Sequence, residues 1–454
     1  MMTGRRLPNR GDGPRGTRLA AFAAPAMPMA VTNLSLAVYL PQFYATQTGI
    51  GLAVIGFVFM VVRLGDLAFD PLLGIAIDRT STSIGRFRPW MLAGVPVTMI
   101  GAWLAFFPPQ DVGVTYLVGA LSAVFIGYSL ITVTQFSWAA VLGEDSNARS
   151  RAYGAIQGAA TLGMLLIMAV LPLVAAYLPG DRDLTVHSMG LFIVLMTPLT
   201  AIIAMTRVAE PQRAVLTHVP SFGRAVLDYG KALACPPVAR VMAATVLTAL
   251  ASGVTSSLFL FFAPTKGFTA AQSNLLLLVY FVGAFASSRA WAPISYRFGK
   301  ENVLIAICLV VAALKLTVLA LPNGAFYLAG AGQLVLGACY SGTMIMLKSI
   351  VGDAADDVKQ RLDEDFTGRL YAVYSSLTKA SIAVSVGVIF FILQAIGYVP
   401  KAGTLNSPEA LQNLELSFVL IPAALFVAGA LAISRYGRPS HPDRAAAVPG
   451  EVQS

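Results

Sequence analysis

Twelve apolar runs, each close to or above the roughly 20 residues that a helix needs to cross a bilayer, limit what this chain can fold into. They lie at about 20–44, 51–77, 90–108, 114–142, 152–178 and 188–206, and again at about 239–264, 271–292, 302–321, 325–348, 370–397 and 414–434. A polar stretch from Arg207 to Arg240 divides six from six. The hydrocarbon core offers no water to backbone polar groups, and a helix satisfies them within one segment. The sequence therefore predicts an all-α polytopic membrane protein with two six-helix bundles. Composition agrees: 57% of the 454 residues are hydrophobic and 12% charged, against about a quarter charged in soluble domains.

The formal net charge of +9 is explained by where the charges fall. Of 31 Lys and Arg residues, 23 lie in the termini and alternate loops, and only Arg182, Lys266 and Lys401 lie in the loops opposite. Positive charge concentrates on the cytoplasmic side of membrane proteins, so both termini are expected in the cytoplasm. The partner implied is a lipid bilayer, the inner or plasma membrane, and no nucleic acid. The expected organisation is a mobile arm at 1–18, a first bundle at 19–206, a cytoplasmic middle loop at 207–238, a second bundle at 239–437 and a disordered tail at 438–454. Arg5-Arg6 is read as part of the arm rather than as an export signal.

Charges inside the spans are the informative ones. Arg63, Asp66 and Asp70 fall at i, i+3 and i+7 in the second run, on one helical face. Charge at membrane depth is costly and marks function by default. Two carboxylates one turn apart repel when both are ionised, so a low-dielectric site would hold a proton or a cation between them. Hard cations take oxygen ligands, which the two carboxylates with Thr134 or Gln135 would supply. The competing reading is a static pair in which Arg63 neutralises the acids. Lys379 lies nine residues into the eleventh run, too deep to reach the interface easily, and is placed to balance the carboxylates across the halves. Lys315 is expected to snorkel, and Lys348 and Arg289 to anchor the interface.

Pro25, Pro28 and Pro41 should break or kink the first span, as in helices that line a cavity; Asn33 and Gln42 are its polar positions. The loop from Asp78 through Arg79, Gly85 and Arg86 to Arg88 is a candidate gate that reaches span four or eleven. Tyr296–Lys300 gives a weaker echo in the second half, as an internal repeat would. Cys235, Cys308 and Cys339 fit no metal or disulfide pattern. His187 and His218 fall in loops and His441 in the tail. No catalytic nucleophile, metal-hydrolase spacing or nucleotide loop is present, which argues against an enzyme.

Arg63-x-x-Asp66-x-x-x-Asp70-Pro71-x-x-Gly74-x-x-x-Asp78-Arg79-Thr80, followed by Gly85-Arg86-Phe87-Arg88-Pro89-Trp90, resembles the glycoside–pentoside–hexuronide:cation symporters of the major facilitator superfamily. The resemblance continues through Phe136-Ser137-Trp138, Ala148-Arg149-Ser150-Arg151, Thr367-Gly368-Arg369, Lys379 and Gly397-Tyr398-Val399-Pro400. It implies that Asp66 and Asp70 help to bind a coupling Na+, Li+ or H+, with Arg63 beside them and Lys379 near both cation and sugar. It implies further that Trp138, which on its residues alone would simply pack between helices, stacks on a sugar ring, and that the basic loop and Arg149 take part in gating. Three positions depart from the pattern. Thr134 and Gln135 stand where span four of the family carries an acid, Ala30 stands for a sugar-binding acid, and Gln157 stands for a sugar-binding arginine. Asn33, Gln157 and Trp138 are therefore the expected substrate contacts with Arg63 and Lys379.

The implied function is secondary active symport of a sugar or glycoside, coupled to a monovalent cation, by alternating access. The expected partners are the small-molecule substrate and the ion, with no cofactor, and a monomer is expected to suffice. The alternatives are a non-sugar solute, lipid-like or aromatic, on the same cation site, and a membrane sensor without net flux.

Overall fold

The computed structural model describes residues 16–142, 146–177, 183–210, 235–362, 367–401 and 404–436, with the side chains of 143–150, 174–182 and 359–369 outside that description. The expected arm, middle loop and tail thus fall almost wholly outside the described residues. Among the described residues, twelve helices are long and apolar enough to cross a membrane. In the first half they are α1 (Thr17–Gln47), α2 (Leu52–Arg79), α3 (Arg88–Phe106), α4 (Val114–Val141), α5 (Ser146–Tyr177) and α6 (Leu184–Arg207). In the second half they are α7 (Pro236–Thr265), α8 (Ala270–Ser287), α9 (Lys300–Thr317), α10 (Phe326–Leu362), α11 (Thr367–Ala395) and α12 (Pro408–Ser434). The eighth run ends earlier than its hydropathy suggests, and a separate short helix, Trp291–Phe298, lies before α9. His187, expected in a loop, sits on the first turn of α6 and stacks on Phe107 at 4.9 Å.

α1 is not a uniform helix. It breaks at Ala24–Pro25, where proline supplies no N–H, and passes through a π-helical turn at Ser35–Tyr39 just before Pro41. The hydroxyls of Thr32 and Ser35 donate back to the carbonyls of Pro28 and Val31, at 2.9 and 2.8 Å. Of the three prolines expected to break or kink this span, Pro25 and Pro41 lie at its interruptions, whereas Pro28 lies within the unbroken stretch Ala26–Leu34.

The apolar interior has three parts, and their layout gives the molecule its shape. Far from the Thr80–Phe87 loop, one core runs through both halves, from Val31, Phe59 and Phe125 to Leu258, Phe390 and Phe418. At the loop end there are two separate cores. One gathers Phe22, Ile77, Phe87 and Trp138 in the first half, and the other gathers Val241, Leu347, Leu370 and Tyr374 in the second. Among the described residues the halves share an apolar core at one end and have separate cores at the other.

Hydrogen bonds fasten the joined end. Tyr39 donates to Asn274 of α8 at 3.0 Å, Gln42 to the Leu260 carbonyl of α7 at 2.9 Å, and the Ala53 N–H to Gln394 of α11 at 2.8 Å. Glycine lets α2 and α11 approach closely. A Cβ at Gly56 would sit 2.5 Å from the Cβ of Phe390, and one at Gly387 would sit 2.7 Å from the Met60 sulfur. Gly56→Leu should therefore pry this end open. Overpacking of about 1–3 kcal/mol corresponds to roughly fivefold or more in the closed population. The expected readout is a drop in cross-linking between Ala53→Cys and Gln394→Cys, with Cys235, Cys308 and Cys339 replaced.

Candidate functional site

α2 carries Asp66 and Asp70 one turn apart, and α4 brings a hydroxyl between them. Ser129 Oγ lies 2.6 Å from Asp66 Oδ1 and 2.6 Å from Asp70 Oδ1. Each outer oxygen has its own cation. Asp66 Oδ2 accepts from Arg63 Nη1 at 3.2 Å, and Asp70 Oδ2 accepts from Lys379 Nζ of α11 at 2.5 Å. Lys379 is thus the charge that crosses from one half to the other. The side chain of Asp66 is 1% exposed and that of Asp70 15%, so Asp66 is the sealed end of the pair and Asp70 its mouth. Pro71 follows at once inside α2 and leaves the carbonyl one turn back without its usual donor.

A serine hydroxyl has one proton. It can donate to one carboxylate only, and a second oxygen at 2.6 Å is then bare against it. That contact is favourable when the other carboxyl carries a proton, or when the three oxygens share a cation. Arg63 does not relieve it. Its guanidinium is held by Asp66, by Asn33 Oδ1 of α1 at 3.3 Å and by the ring of Phe125, 4.8 Å from its centroid. Among the described residues no group of three or more His, Cys, Asp or Glu side chains converges. Two carboxylates and a hydroxyl form a donor set suited to a monovalent ion.

The remaining expected residues divide clearly. Asn33 joins the cluster through Arg63. Gln135 does not: its amide donates to the Phe22 and Ala23 carbonyls at 2.9 and 3.5 Å, the groups freed where α1 breaks at Pro25. Thr134 is fully buried with its hydroxyl unbonded, five residues and about 140° around α4 from Ser129. The span-four side chain that touches the two acids is thus Ser129, not Thr134 or Gln135. Trp138 also departs from expectation. It is fully buried, edge-on to Phe22 at 5.5 Å and stacked on Phe87 at 6.1 Å, so it offers no face to a sugar ring. Gln157 is exposed on α5 and makes no hydrogen bond to the cluster.

The loop after α2 is tied to its own half. Asp78 pairs with Arg86, whose Nε also donates to the Ile77 carbonyl at 3.1 Å. Arg88 donates to the Met205 and Val208 carbonyls at the end of α6, at 3.0 and 3.1 Å. Glu210, just beyond α6, accepts the Arg86 and Phe87 backbone N–H groups. Gly85 is required there. Its φ is +116°, and an added Cβ would strike the Glu210 carboxylate. Burial lowers the Arg86 guanidinium from its ordinary value, and Glu210 opposes that shift. The polar partners described for Asp78, Arg86 and Arg88 are thus within the loop, on α2 and at the end of α6, and the fourth span meets the loop only through the apolar stack of Trp138 on Phe87; Arg79 is exposed, and the Arg149 side chain lies outside the described residues.

Comparison with known proteins matches residues 21–437 to the family described as MFS/sugar transport protein. The chain belongs to that family. A glucuronide carrier protein homolog of Escherichia coli (strain K12) is 22% identical over 405 residues, 86% of each chain. Sodium-dependent lysophosphatidylcholine symporter 1 of Xenopus tropicalis is 23% identical over 459 residues, 91% of this chain and 86% of that one. Among solved structures, a D-xylose–proton symporter superposes with a TM-score of 0.66 at 15% identity, over 92% of this chain and 97% of that one. The protein is a multi-pass membrane transporter of the major facilitator superfamily, in its glycoside–pentoside–hexuronide:cation symporter family, and not an enzyme.

Ser129 is what sequence reasoning missed, because a serine in an apolar helix is ordinary and usually bonds back to its own turn. The only cue is spacing: Phe125 and Ser129 are four apart on α4 and meet Arg63 and the acids together. Gln135 and Ser129 can be separated by experiment. Gln135→Leu leaves two carbonyls unpaired and should lower stability by about 1–3 kcal/mol, seen as a lower thermal midpoint in detergent. Its response to Na+, Li+ and pH should remain that of wild type.

Proposed function

We propose that the protein is a cation-coupled symporter that moves a sugar or glycoside by alternating access, with Asp66, Asp70 and Ser129 as the coupling-ion site. The observation that carries this reading is the single serine hydroxyl set 2.6 Å from each of two carboxylates. The names of the relatives support a monovalent ion, one being called sodium-dependent, and support a glycoside-like cargo, another being called a glucuronide carrier homolog.

Lys379 supplies the coupling. In the arrangement described, the two acids face two bases, so the cluster is neutral. An ion that arrives at Asp70 competes with the Lys379 ammonium and frees the link between α2 and α11. Substrate then raises ion affinity by the factor by which the ion raises substrate affinity, as linkage requires. The bundles proposed at 19–206 and 239–437 rock about this midplane site. With the basic loops taken as cytoplasmic, the parted end faces the cytoplasm and both termini lie there. The burial of Trp138 favours a second reading of the cargo, a lipid-like or aromatic solute on the same ion site, and an uptake panel wider than glycosides separates the two.

Thermal stability of the detergent-purified protein tests the ion site without knowledge of the substrate. A ligand at 100 times its dissociation constant adds about 2.7 kcal/mol. Stabilisation by Na+ or Li+ over K+, lost in Asp66→Asn, Asp70→Asn and Ser129→Ala, is the expected result for a sodium site. A pH-dependent shift lost in the same variants is expected for a proton site. If all three variants melt like wild type in every condition, the assignment fails. Lys379→Met removes the competitor for Asp70, so ion affinity should hold or rise while ion-driven uptake in proteoliposomes falls.

A further inference from the structure

The second half contains a cavity of about 100 Å³, well beyond the roughly 10–15 Å³ that one water needs. It is walled by α7, α8, α9, α10 and α12, and Val38, from the π-helical turn of α1, closes it from the first half. Most of the wall is apolar or aromatic, but Lys315 of α9 stands in it.

Lys315 was expected to snorkel to the interface. It is 2% exposed, among the largest fully buried side chains of the protein. Its Nζ lies 3.9 Å from the centroid of the Phe418 ring, and no hydrogen bond or ion pair to it exists among the described residues. Contrast Lys266, at the end of α7, which has Glu415 of α12 at 2.6 Å. Buried ammonium groups are normally paired, and a ring face replaces only part of the lost hydration. A second polar group shares the cavity wall: the Thr255 hydroxyl of α7, buried without a partner. Gln333, Tyr280 and Tyr340 bring further polar atoms to the same wall. Three donor types around an apolar volume, with no carboxylate among the lining residues, describe a receptor for an oxyanion attached to a ring or other apolar body.

We propose that Lys315, with Thr255, forms an anion subsite in the second half, and that the transported solute carries a carboxylate or phosphate that binds there. The inference deepens the transport reading above and rests on it. The subsite lies at the seam of the halves, since α1 supplies one wall, so an anion held there senses their relative position. Its charge is opposite to that of the coupling ion, so a cation and an anionic solute enter as a pair with little net charge added to the low-dielectric interior.

The test uses the intact protein in detergent, with benzoate and phenyl phosphate as probes and benzyl alcohol as their neutral counterpart. The expected result is a rise in thermal midpoint with at least one anion and none with the alcohol. Which anion acts tells carboxylate from phosphate. Lys315→Met should weaken that anion roughly tenfold or more, the loss of one charge-assisted hydrogen bond. Its unliganded midpoint should be no lower than wild type, because a methionine fills the same space without an unpaired charge. Thr255→Val, which keeps the ammonium, should weaken the anion by a smaller factor and gives a second readout if the first variant folds poorly. The proposal is overturned if neither anion shifts wild type, if Lys315→Met responds as wild type does, or if that variant is simply destabilised while Thr255→Val binds normally. The Na+ and pH response, recorded on the same samples without anion, separates failure of this subsite from failure of the ion site.

Discussion

Charge at membrane depth must be balanced where it stands, and the centre of this transporter is built around that requirement. Asp66 is sealed by Arg63, Ser129 and the walls of α4, whereas Asp70 is left half-open and completed by a lysine from the other half. The pair is therefore unequal by construction. The inner acid is fixed within one half, and the outer acid is finished only when the halves stand in a particular relation. A site of this kind reports the position of the bundles through its own electrostatics, with no separate sensor.

The interior cores make that relation mechanical. One apolar core spans both halves at one end, and two independent cores lie at the other. The Asp70–Lys379 contact stands between the fused region and the parted one, on the same two helices that touch through Gly56 and Gly387. Small residues on both helices leave the backbones in near contact, so a modest rotation there is a large displacement at the loop end. The loop after α2 rides with the first half because Glu210 and Arg88 bind it to the end of α6. It moves as part of that body.

The sequence made the spans legible because bilayer thickness imposes a length, and it made Asp66, Asp70 and Lys379 legible because charge in an apolar run has few explanations. The family's spacing carried the rest of that reading. What escaped were residues whose role depends on a neighbour that spacing does not reveal. Gln135 looked like a ligand beside the acids, but the proline break of α1 left carbonyls that claimed it. Trp138 looked like a platform, but Phe22 and Phe87 enclose it. Lys315 looked close enough to the end of its span to reach water, yet α9 turns its side chain inward to Phe418. Ser129 carried only the faint cue of its spacing from Phe125. For Gln135, Trp138 and Lys315 the helical position was read correctly and its facing partner was not.

The π-helical turn at Ser35–Tyr39 has a consequence for how the joined end is held. Such a turn houses one residue more than an α-turn, so everything after it in α1 is rotated by about 100° from where an unbroken α-helix would put it. Tyr39 and Gln42 reach Asn274 and Leu260 from that rotated segment, and Val38 forms part of the cavity wall from the turn itself. The seam on this side is thus set by a backbone register, a single inserted residue, rather than by the chemistry of any side chain. A one-residue deletion in this turn would preserve every bonding group and still turn them all to face elsewhere.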